Sequence, residues 1–442
     1  MNISKKAENL IKEYALCNYC LGRQFSNLGT GTTNYERGST IKLYLTMEIS
    51  RSKSDDNINI LQLLSRSSSN KAKGLLLKWG ITPEDTVTCP ICENKLKNIN
   101  ELTKIILAKF DDYELNTFLI GTILPKEWFE KERKLKERFD LLQTEYLKQE
   151  FNRLIGKKIC EQKSLDTDFK NPEIIAEINP LTLTVNPRIS SLYIFGRYNK
   201  YVRTIPQTRW PCYSCKGKGC EKCKFTGKQY QESVEELIGF EAINTAMSEK
   251  VVLHGSGRED IDALMLGSGR PFVLEVVKPR IRTIDLKELE RKSNSYTEGK
   301  VRVSGYRWSS KKELVYLKEH AQQAVKKYRA LIKFDQDISQ VQLKKIEVFF
   351  IDRKIEQRTP IRVKHRRADL IREKMVYSIR CTIKKEDEME AIISCDGGCY
   401  VKELISGDDG RTLPNISSIA GSLGFCKELD VLEIEERTYN EI

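Results

Sequence analysis

The sequence predicts an α+β protein of two or three domains, the C-terminal one built on a mixed or antiparallel sheet. Three observations carry that prediction. The chain has 442 residues, 40% of them hydrophobic, enough for more than one full core. Its C-terminal half alternates short strand-period segments with amphipathic helix-period segments. Eight of the 13 cysteines fall in CxxC pairs, which marks metal-braced modules.

The net charge is +13, and only three histidines are present. Such a balance favours a polyanionic partner, nucleic acid first and an anionic membrane surface second. No apolar run is long enough to span a membrane. The first residues, Met-Asn-Ile-Ser-Lys-Lys, lack the apolar core of a signal peptide, so a protein of the cytoplasm or nucleus is expected, the cytoplasm first.

Residues 3–16 read as a helix with Leu10 and Ile11 facing inward. Cys17-Asn-Tyr-Cys20 is a knuckle, and Cys89-Pro-Ile-Cys92 is a second. Together they supply four thiolates, the set of a structural zinc site. The 68 residues between Cys20 and Cys89 imply an inserted element, and within them 50–72 reads as a mobile segment beside a surface helix.

Residues 98–123 alternate helix and strand signals. One long helix is expected after Pro125, with Leu135, Phe139, Leu142, Tyr146 and Phe151 at helical spacing. Strands are expected at 174–178, 181–185 and 192–195. Residues 188–210 interleave Arg188, Tyr193, Phe195, Arg197, Tyr198, Lys200, Tyr201, Arg203, Arg209 and Trp210. Two readings stand side by side: cations on phosphates with rings stacked on unpaired bases, or a core strand with solvated cations.

Cys212, Cys215, Cys220 and Cys223 follow in C-x2-C-x4-C-x2-C spacing, a second four-thiolate zinc set. Lys216, Lys218, Lys222 and Lys224 offset the thiolate charge, so their presence does not by itself require RNA. A helix is expected from Glu232, and a domain boundary within 205–235.

Further on, 311–333 reads as one amphipathic helix, with Leu314, Leu317, Ala321, Ala324, Val325, Tyr328, Leu331 and Ile332 on one face. Strands are expected at 346–351, 376–382, 390–395 and 429–434. The segment QRTPIRVKHRRADLIREK, 357–374, reads as a basic loop or hairpin suited to gripping a phosphate backbone. Lys402 falls on the strand that continues through Gly397-Gly398.

The chemistry concentrates in 254–279, HGSGREDIDALMLGSGRPFVLEVVKP. Asp260 and Asp262 with Glu275 and Lys278 suggest a magnesium nuclease, but residues 275 and 278 point to opposite faces of a strand. A lone carboxylate beside a cation suits nucleophilic or general-base work instead, with Tyr328, Lys402 or Arg258 as candidate partners.

The segments GREDIDALMLGSGRPFVLEV, KKYRALI, QRTPIRVKHRRADLIREK and GGCYVKELISGDDGRT resemble the Pus-ten family of tRNA pseudouridine synthases, archaeal type. FNRLIG, IFGRYNKYVRTIPQTRW and ESVEELIG extend the likeness over most of the chain, and GCYVKEL resembles the GTYIR-type strand of other pseudouridine synthases. The resemblance implies a catalytic domain of pseudouridine synthase type at 231–442, a zinc knuckle or linker at 206–230, and a THUMP-containing RNA-binding accessory domain at 1–205. It implies Asp260 as the catalytic aspartate, Tyr328 as base-stacking and proton-removing group, and Lys402 as partner of Asp260. Arg258, Val401, Leu429, Arg362, Arg366, Arg367 and Arg197 would contact substrate. The implied substrate is the tRNA T-loop, uridine 54, 55 or both. The isomerisation needs no catalytic or nucleotide cofactor, and zinc would be structural. The rivals are an inactive tRNA-binding or chaperone protein on the same fold and the magnesium nuclease. Two departures stand out: Leu264 occupies a position where the family pattern leads one to expect arginine, and the 212–223 knuckle is not a general family feature.

Overall fold

The structure, a computed structural model, describes residues 3–321 and 323–435, and of Arg366 the backbone alone. The chain divides into two compact units, one up to residue 190 and one from residue 191 onward. Both mix helices with a sheet, as an α+β protein should.

The first unit begins with helices Ile3–Glu13, Asn18–Arg23, Asn34–Ile49, Asp55–Arg66 and Asn70–Lys78. The stretch expected to be mobile is therefore mostly helical. Its serines are caps: Ser54 and Ser69 side chains accept from the backbone N–H of Asn57 and Ala72, groups that a helix start leaves unpaired. After helix Ile99–Phe110, a four-stranded sheet runs β2–β1–β3–β4, with β1 Thr117–Thr122, β2 Asp166–Thr167, β3 Ile174–Asn179 and β4 Thr184–Ile189. β4 starts later than expected because Asn179 Oδ1 accepts from Leu181 N at 2.9 Å, closing an Asx turn first.

The single helix expected after Pro125 is two, Lys126–Arg138 and Leu147–Gln162. Buried Lys136 donates to the carbonyls of Thr144 (2.9 Å) and Glu145 (3.1 Å), folding 139–146 into a tight loop. Asp140 there takes a φ of 52°, which a continuous helix forbids.

The second unit is organised by a ten-stranded sheet. Its strands are β5 Leu192–Lys200, β6 Lys250–Gly255, β7 Leu264–Val277, β8 Val301–Trp308, β9 Val325–Phe334, β10 Arg353–Arg358, β11 Ile371–Lys385, β12 Glu388–Asp396, β13 Thr412–Leu413 and β14 Gly424–Glu435. The order is β13–β10–β11–β12–β9–β14–β7–β5–β8, with β6 also paired to β7. Because β5 is built into this sheet, residues 191–205 belong to the second unit, ahead of the boundary expected within 205–235.

Every pairing in this sheet is antiparallel except β7–β14, which is parallel and short, Asp430 opposite Leu264 and Val431 opposite Met265. That join separates two cores. One packs Tyr198, Phe272 and Leu274 with helix Val234–Ala246. The other packs Ala330, Ile332 and Ile393 with helices Gln340–Phe349 and Val401–Ser406. Tyr328 touches both cores, so it stands at their seam.

Three expected elements change type. Helix Lys311–His320 stops before Tyr328, which lies on β9. There Lys326, Ala330, Ile332 and Phe334 are buried and alternate with more exposed residues. The strand period is masked because a lysine points in and Leu331 points out. Ladders to β12 and β14 on both sides outweigh the local helix propensity. Residues 346–349 end a helix rather than start a strand: Ser339 and Gln342 form a capping box at its N-terminus. Lys402 lies in the first turn of helix Val401–Ser406, because Gly398 at φ 79° turns the chain out of β12.

Gly267 guards the parallel join. Its φ is 55°, and a Cβ there would lie 1.9 Å from Leu432 O. Gly267→Ala is expected to destabilise the second unit by at least about 2 kcal/mol, from left-handed strain and a backbone clash. Urea unfolding measures it.

Candidate active site

Residues 256–263 link β6 to β7 and carry the predicted carboxylate. Glu259 anchors the loop from beneath. Its carboxylate accepts from Tyr198 Oη at 2.9 Å and from Arg270 Nε at 2.8 Å. The side chains of Arg270 and Glu259 are 2% and 0% exposed. Arg270 also donates to Ser256 O (2.7 Å), and Gln207 donates to Tyr198 Oη (2.8 Å) and Gly257 O (3.0 Å). Buried Lys200 donates to the carbonyls of Ile205, Asp260 and Ile261 at 3.1–3.2 Å. Burial and the Glu259 charge push the Tyr198 phenol well up. Burial pulls the Lys200 ammonium below its ordinary value, although Glu259 opposes this.

With its backbone pinned, the loop projects Asp260 into a cleft of about 560 Å³, within the usual range for ligand sites. Asp260 Oδ2 lies 3.2 Å from Arg362 Nη1 and 3.5 Å from Lys402 Nζ. Lys402 is bound more closely to Asp262, at 2.9 and 3.1 Å. Burial alone would lower the Lys402 pKa, but the Asp262 hydrogen bond and the charges of both aspartates leave it above the ordinary lysine value. Arg362 Nε also donates to Glu403 at 2.7 Å. Burial pushes the Tyr328 phenol far above its usual range, so it is protonated at neutral pH.

Eight residues singled out from sequence line this one cleft: Arg258, Asp260, Tyr328, Arg362, Arg367, Val401, Lys402 and Leu429. Arg367 Nη1 donates to Tyr400 Oη at 3.0 Å. Arg197 does not line it; its guanidinium donates to Gly269 O at 3.1 Å, bracing the irregular Gly267–Gly269 stretch of β7. The Arg366 side chain lies outside the described residues. Leu264 sits opposite Asp430 in the β7–β14 ladder. That buried carboxylate is met by Arg203 at 2.7 Å and Arg329 at 3.1 Å, so two arginines from other strands and loops supply the local cation.

The nuclease constellation is not assembled. Glu275 is held by His254 (3.0 Å) and Ser191 (3.0 Å) and does not line the cleft, while Lys278 pairs with Glu249. The interleaved 188–210 stretch divides between its two readings: Tyr198 and Lys200 are buried braces, whereas Tyr201 is exposed. Sequence reasoning missed Glu259, Arg270 and Gln207. A usable signal existed for Arg270: an arginine beside Pro271 at the start of an apolar strand needs a buried partner.

Two groups of four cysteines are placed to hold a metal ion: Cys17, Cys20, Cys89 and Cys92, and Cys212, Cys215, Cys220 and Cys223. Within each group the sulfurs lie within 4.8 Å of one another. Nearest pairs are separated by 3.6 Å (Cys17–Cys92), 3.7 Å (Cys220–Cys223) and 3.8 Å (Cys215–Cys223). A tetrahedral ion bonded to sulfur at about 2.3 Å has S–S edges of about 3.8 Å. Backbone N–H groups of Gly219, Cys220 and Gly227 point at sulfurs at 3.2 Å, as suits thiolate acceptors. Both groups fit such an ion, and with all four ligands from protein neither leaves a position for substrate.

Removing one partner of the buried pair leaves the other charged and dry. Arg270→Met is expected to cost about 3–5 kcal/mol. Urea unfolding reads the loss, and proteolysis reads the release of the 256–263 loop.

Comparison with known proteins identifies the family of the chain. The family description "Pus10, C-terminal" matches residues 193–435, and "Pus10 THUMP domain, archaeal" matches residues 102–179. The tRNA pseudouridine synthase Pus10 of Methanocaldococcus jannaschii is 41% identical over 98% of this chain and 94% of its own length. That of Methanothrix thermoacetophila is 39% identical over 97% and 93%. Among solved structures, a chain in the crystal structure of a Cbf5-Nop10-Gar1 complex superposes with a TM-score of 0.28 at 15% identity, covering 46% of each chain, too loosely to bear on the site. With identity near two fifths sustained over almost its whole length, and with both family descriptions matched, this chain belongs to the Pus10 family.

Proposed function

We propose that this protein is a tRNA pseudouridine synthase that isomerises a T-loop uridine, at position 54, 55 or both, with Asp260 as the catalytic carboxylate. The observation that carries this reading is the meeting of Asp260, Tyr328 and Lys402 in one cleft, brought there by a loop, a strand and a helix far apart in sequence. The family's named activity and the basic character of the chain support it.

The reaction breaks the C1′–N1 bond of uridine, turns the uracil, and forms a C1′–C5 bond. The C5 proton leaves and N1 gains one, so no electrons are exchanged and no redox cofactor is required. Asp260 has two available roles. It attacks C1′, giving an ester that the rotated base later displaces, or it takes the C2′ proton to open the same bond. Both need an ionised carboxylate, and Lys402 and Arg362 favour that form by their charge. Tyr328 lines the cleft, where its ring stacks on the uracil and its neutral hydroxyl relays the C5 proton, accepting it while passing its own on to water. Val401 and Leu429 wall the pocket against water. Extruding the base costs a few kcal/mol, about what stacking on Tyr328 and phosphate contacts to Arg258, Arg362 and Arg367 return. Each four-cysteine group holds zinc, which braces the fold and takes no part in the chemistry.

One assay separates the rivals. The zinc-loaded protein is incubated in EDTA with a tRNA transcript tritiated at uridine C5. Label release from intact RNA is the expected result. Cleavage that needs Mg²⁺ would support a nuclease, and binding without release a chaperone. Asp260→Asn is expected to keep tRNA binding and reduce release to background; wild-type turnover by it would sink the assignment. Elemental analysis should find two zinc per chain, and Cys17→Ser should lose one of them together with soluble yield.

A further inference from the structure

Residues 209–230 form a small hairpin that the catalytic reading leaves without a role. Its stem is made by Cys212 N bonding Gly227 O and Gln229 N bonding Trp210 O, each at 2.9 Å. Its tip is the four-cysteine group of Cys212, Cys215, Cys220 and Cys223.

Two rings stand out from that tip. Tyr213 is 80% and Phe225 74% exposed, so neither contributes a core contact. Phe225 also sits in the left-handed region at φ 61°, directly after Lys224 at φ 51°. Bulky side chains rarely adopt that conformation, and glycine would satisfy it without strain. The backbone is held there by Phe225 N to Cys220 O at 2.9 Å and Thr226 N to Cys223 O at 3.1 Å. A strained, unpacked phenylalanine has no reason in the fold and points to a reason outside it.

Charge points the same way. Residues 209–228 carry Arg209, Lys216, Lys218, Lys222, Lys224 and Lys228 against one acid, Glu221. Four thiolates around a divalent ion leave two negative charges to offset, so cations remain in excess. Lys228 is engaged by Glu236. Lys216, Lys218, Lys222 and Lys224 lie on the exposed surface of the tip beside the two rings. Rings interleaved with flexible cations match unpaired nucleotides, whose bases offer faces and whose backbone offers phosphates. A duplex would present phosphates but no faces to stack.

The hairpin is also joined to the cleft. At its base Trp210 meets Tyr230 edge-on at 5.7 Å, and Arg258 lies over the Trp210 ring at 5.5 Å. Arg258 lines the cleft two residues before Asp260.

We propose that the 209–230 hairpin is a finger that grips unpaired nucleotides of the tRNA beside the target uridine. In it Tyr213 and Phe225 stack on bases, and Lys216, Lys218, Lys222 and Lys224 hold the neighbouring phosphates. The proposal rests on the tRNA reading above and assigns that substrate a second contact surface outside the cleft.

The test uses the full-length, zinc-loaded protein and an unmodified tRNA transcript. Tyr213→Ala/Phe225→Ala is expected to weaken tRNA affinity by at least about 30-fold, the loss of two stacked bases, and kcat/KM for tritium release by a similar factor. Unchanged metal content and melting temperature show that the hairpin is intact. Tyr213→Trp/Phe225→Trp should restore binding, whereas the leucine pair should not. As an independent arm, Lys218→Glu/Lys222→Glu should lower affinity and flatten its dependence on salt. Wild-type affinity and kcat/KM in the alanine pair would overturn the proposal, as would full rescue by leucine. A wild-type protein that releases no tritium would instead overturn the isomerase reading. An active wild type with an equally active alanine pair would overturn the finger alone.

Discussion

The ion pair of Glu259 and Arg270, sealed from water beneath the 256–263 loop, is the interaction on which the candidate site depends. A buried carboxylate and guanidinium are tolerable only while paired and hydrogen-bonded. Tyr198, Gln207 and the carbonyl of Ser256 supply the remaining bonds, so the loop has one low-energy position on the sheet. With Glu259 drawn down into that network, its neighbour Asp260 faces out into the cleft. Lys200 binds the Asp260 and Ile261 carbonyls from the same side, so the backbone that carries the Asp260 carboxylate is held at both residues. This is preorganisation by burial: the energy is committed in folding, before any RNA arrives.

The second constraint is the parallel join between β7 and β14. It brings together two half-sheets, each with its own core. The Asp260 loop belongs to one half, Tyr328 and Lys402 to the other. A site assembled across such a seam requires the seam to be stiff. Asp430, buried at the join and held by Arg203 and Arg329, provides stiffness that backbone pairing over two residues does not. The same arrangement accounts for Leu264. Its ladder partner's charge is already met from Arg203 and Arg329, so an arginine at 264 is not needed to balance it.

The places where sequence reasoning went astray share one cause. Tyr328 was expected on a helix because Leu314, Leu317, Ala321 and Ala324 keep helical spacing up to the start of β9. The strand that follows hides its period, since buried Lys326 occupies an inward position and Leu331 an outward one. The serine-rich 50–72 stretch read as a mobile segment beside a surface helix, yet Ser54 and Ser69 start two helices. Arg197 and Lys200 looked alike in an interleaved basic stretch; one braces the irregular Gly267–Gly269 stretch of β7 and the other pins the Asp260 loop. In each case a polar residue's job depended on what stood opposite it, which local pattern cannot show.

What the sequence determined by itself was the chemistry available. The GRED loop with Asp260, the basic 357–374 hairpin, both four-cysteine sets and the family were all legible, because fixed spacings and long ordered motifs survive without knowledge of contacts. Tertiary structure alone decided which residues do the holding. Arg270 answers Glu259, Lys402 binds Asp262 more closely than Asp260, and Arg362 crosses from the basic hairpin to Asp260. These pairings join residues up to 142 positions apart, Lys402 and Asp260 being the most distant in sequence. Their strength comes from burial, and burial is a property of the folded sheet rather than of any segment within it.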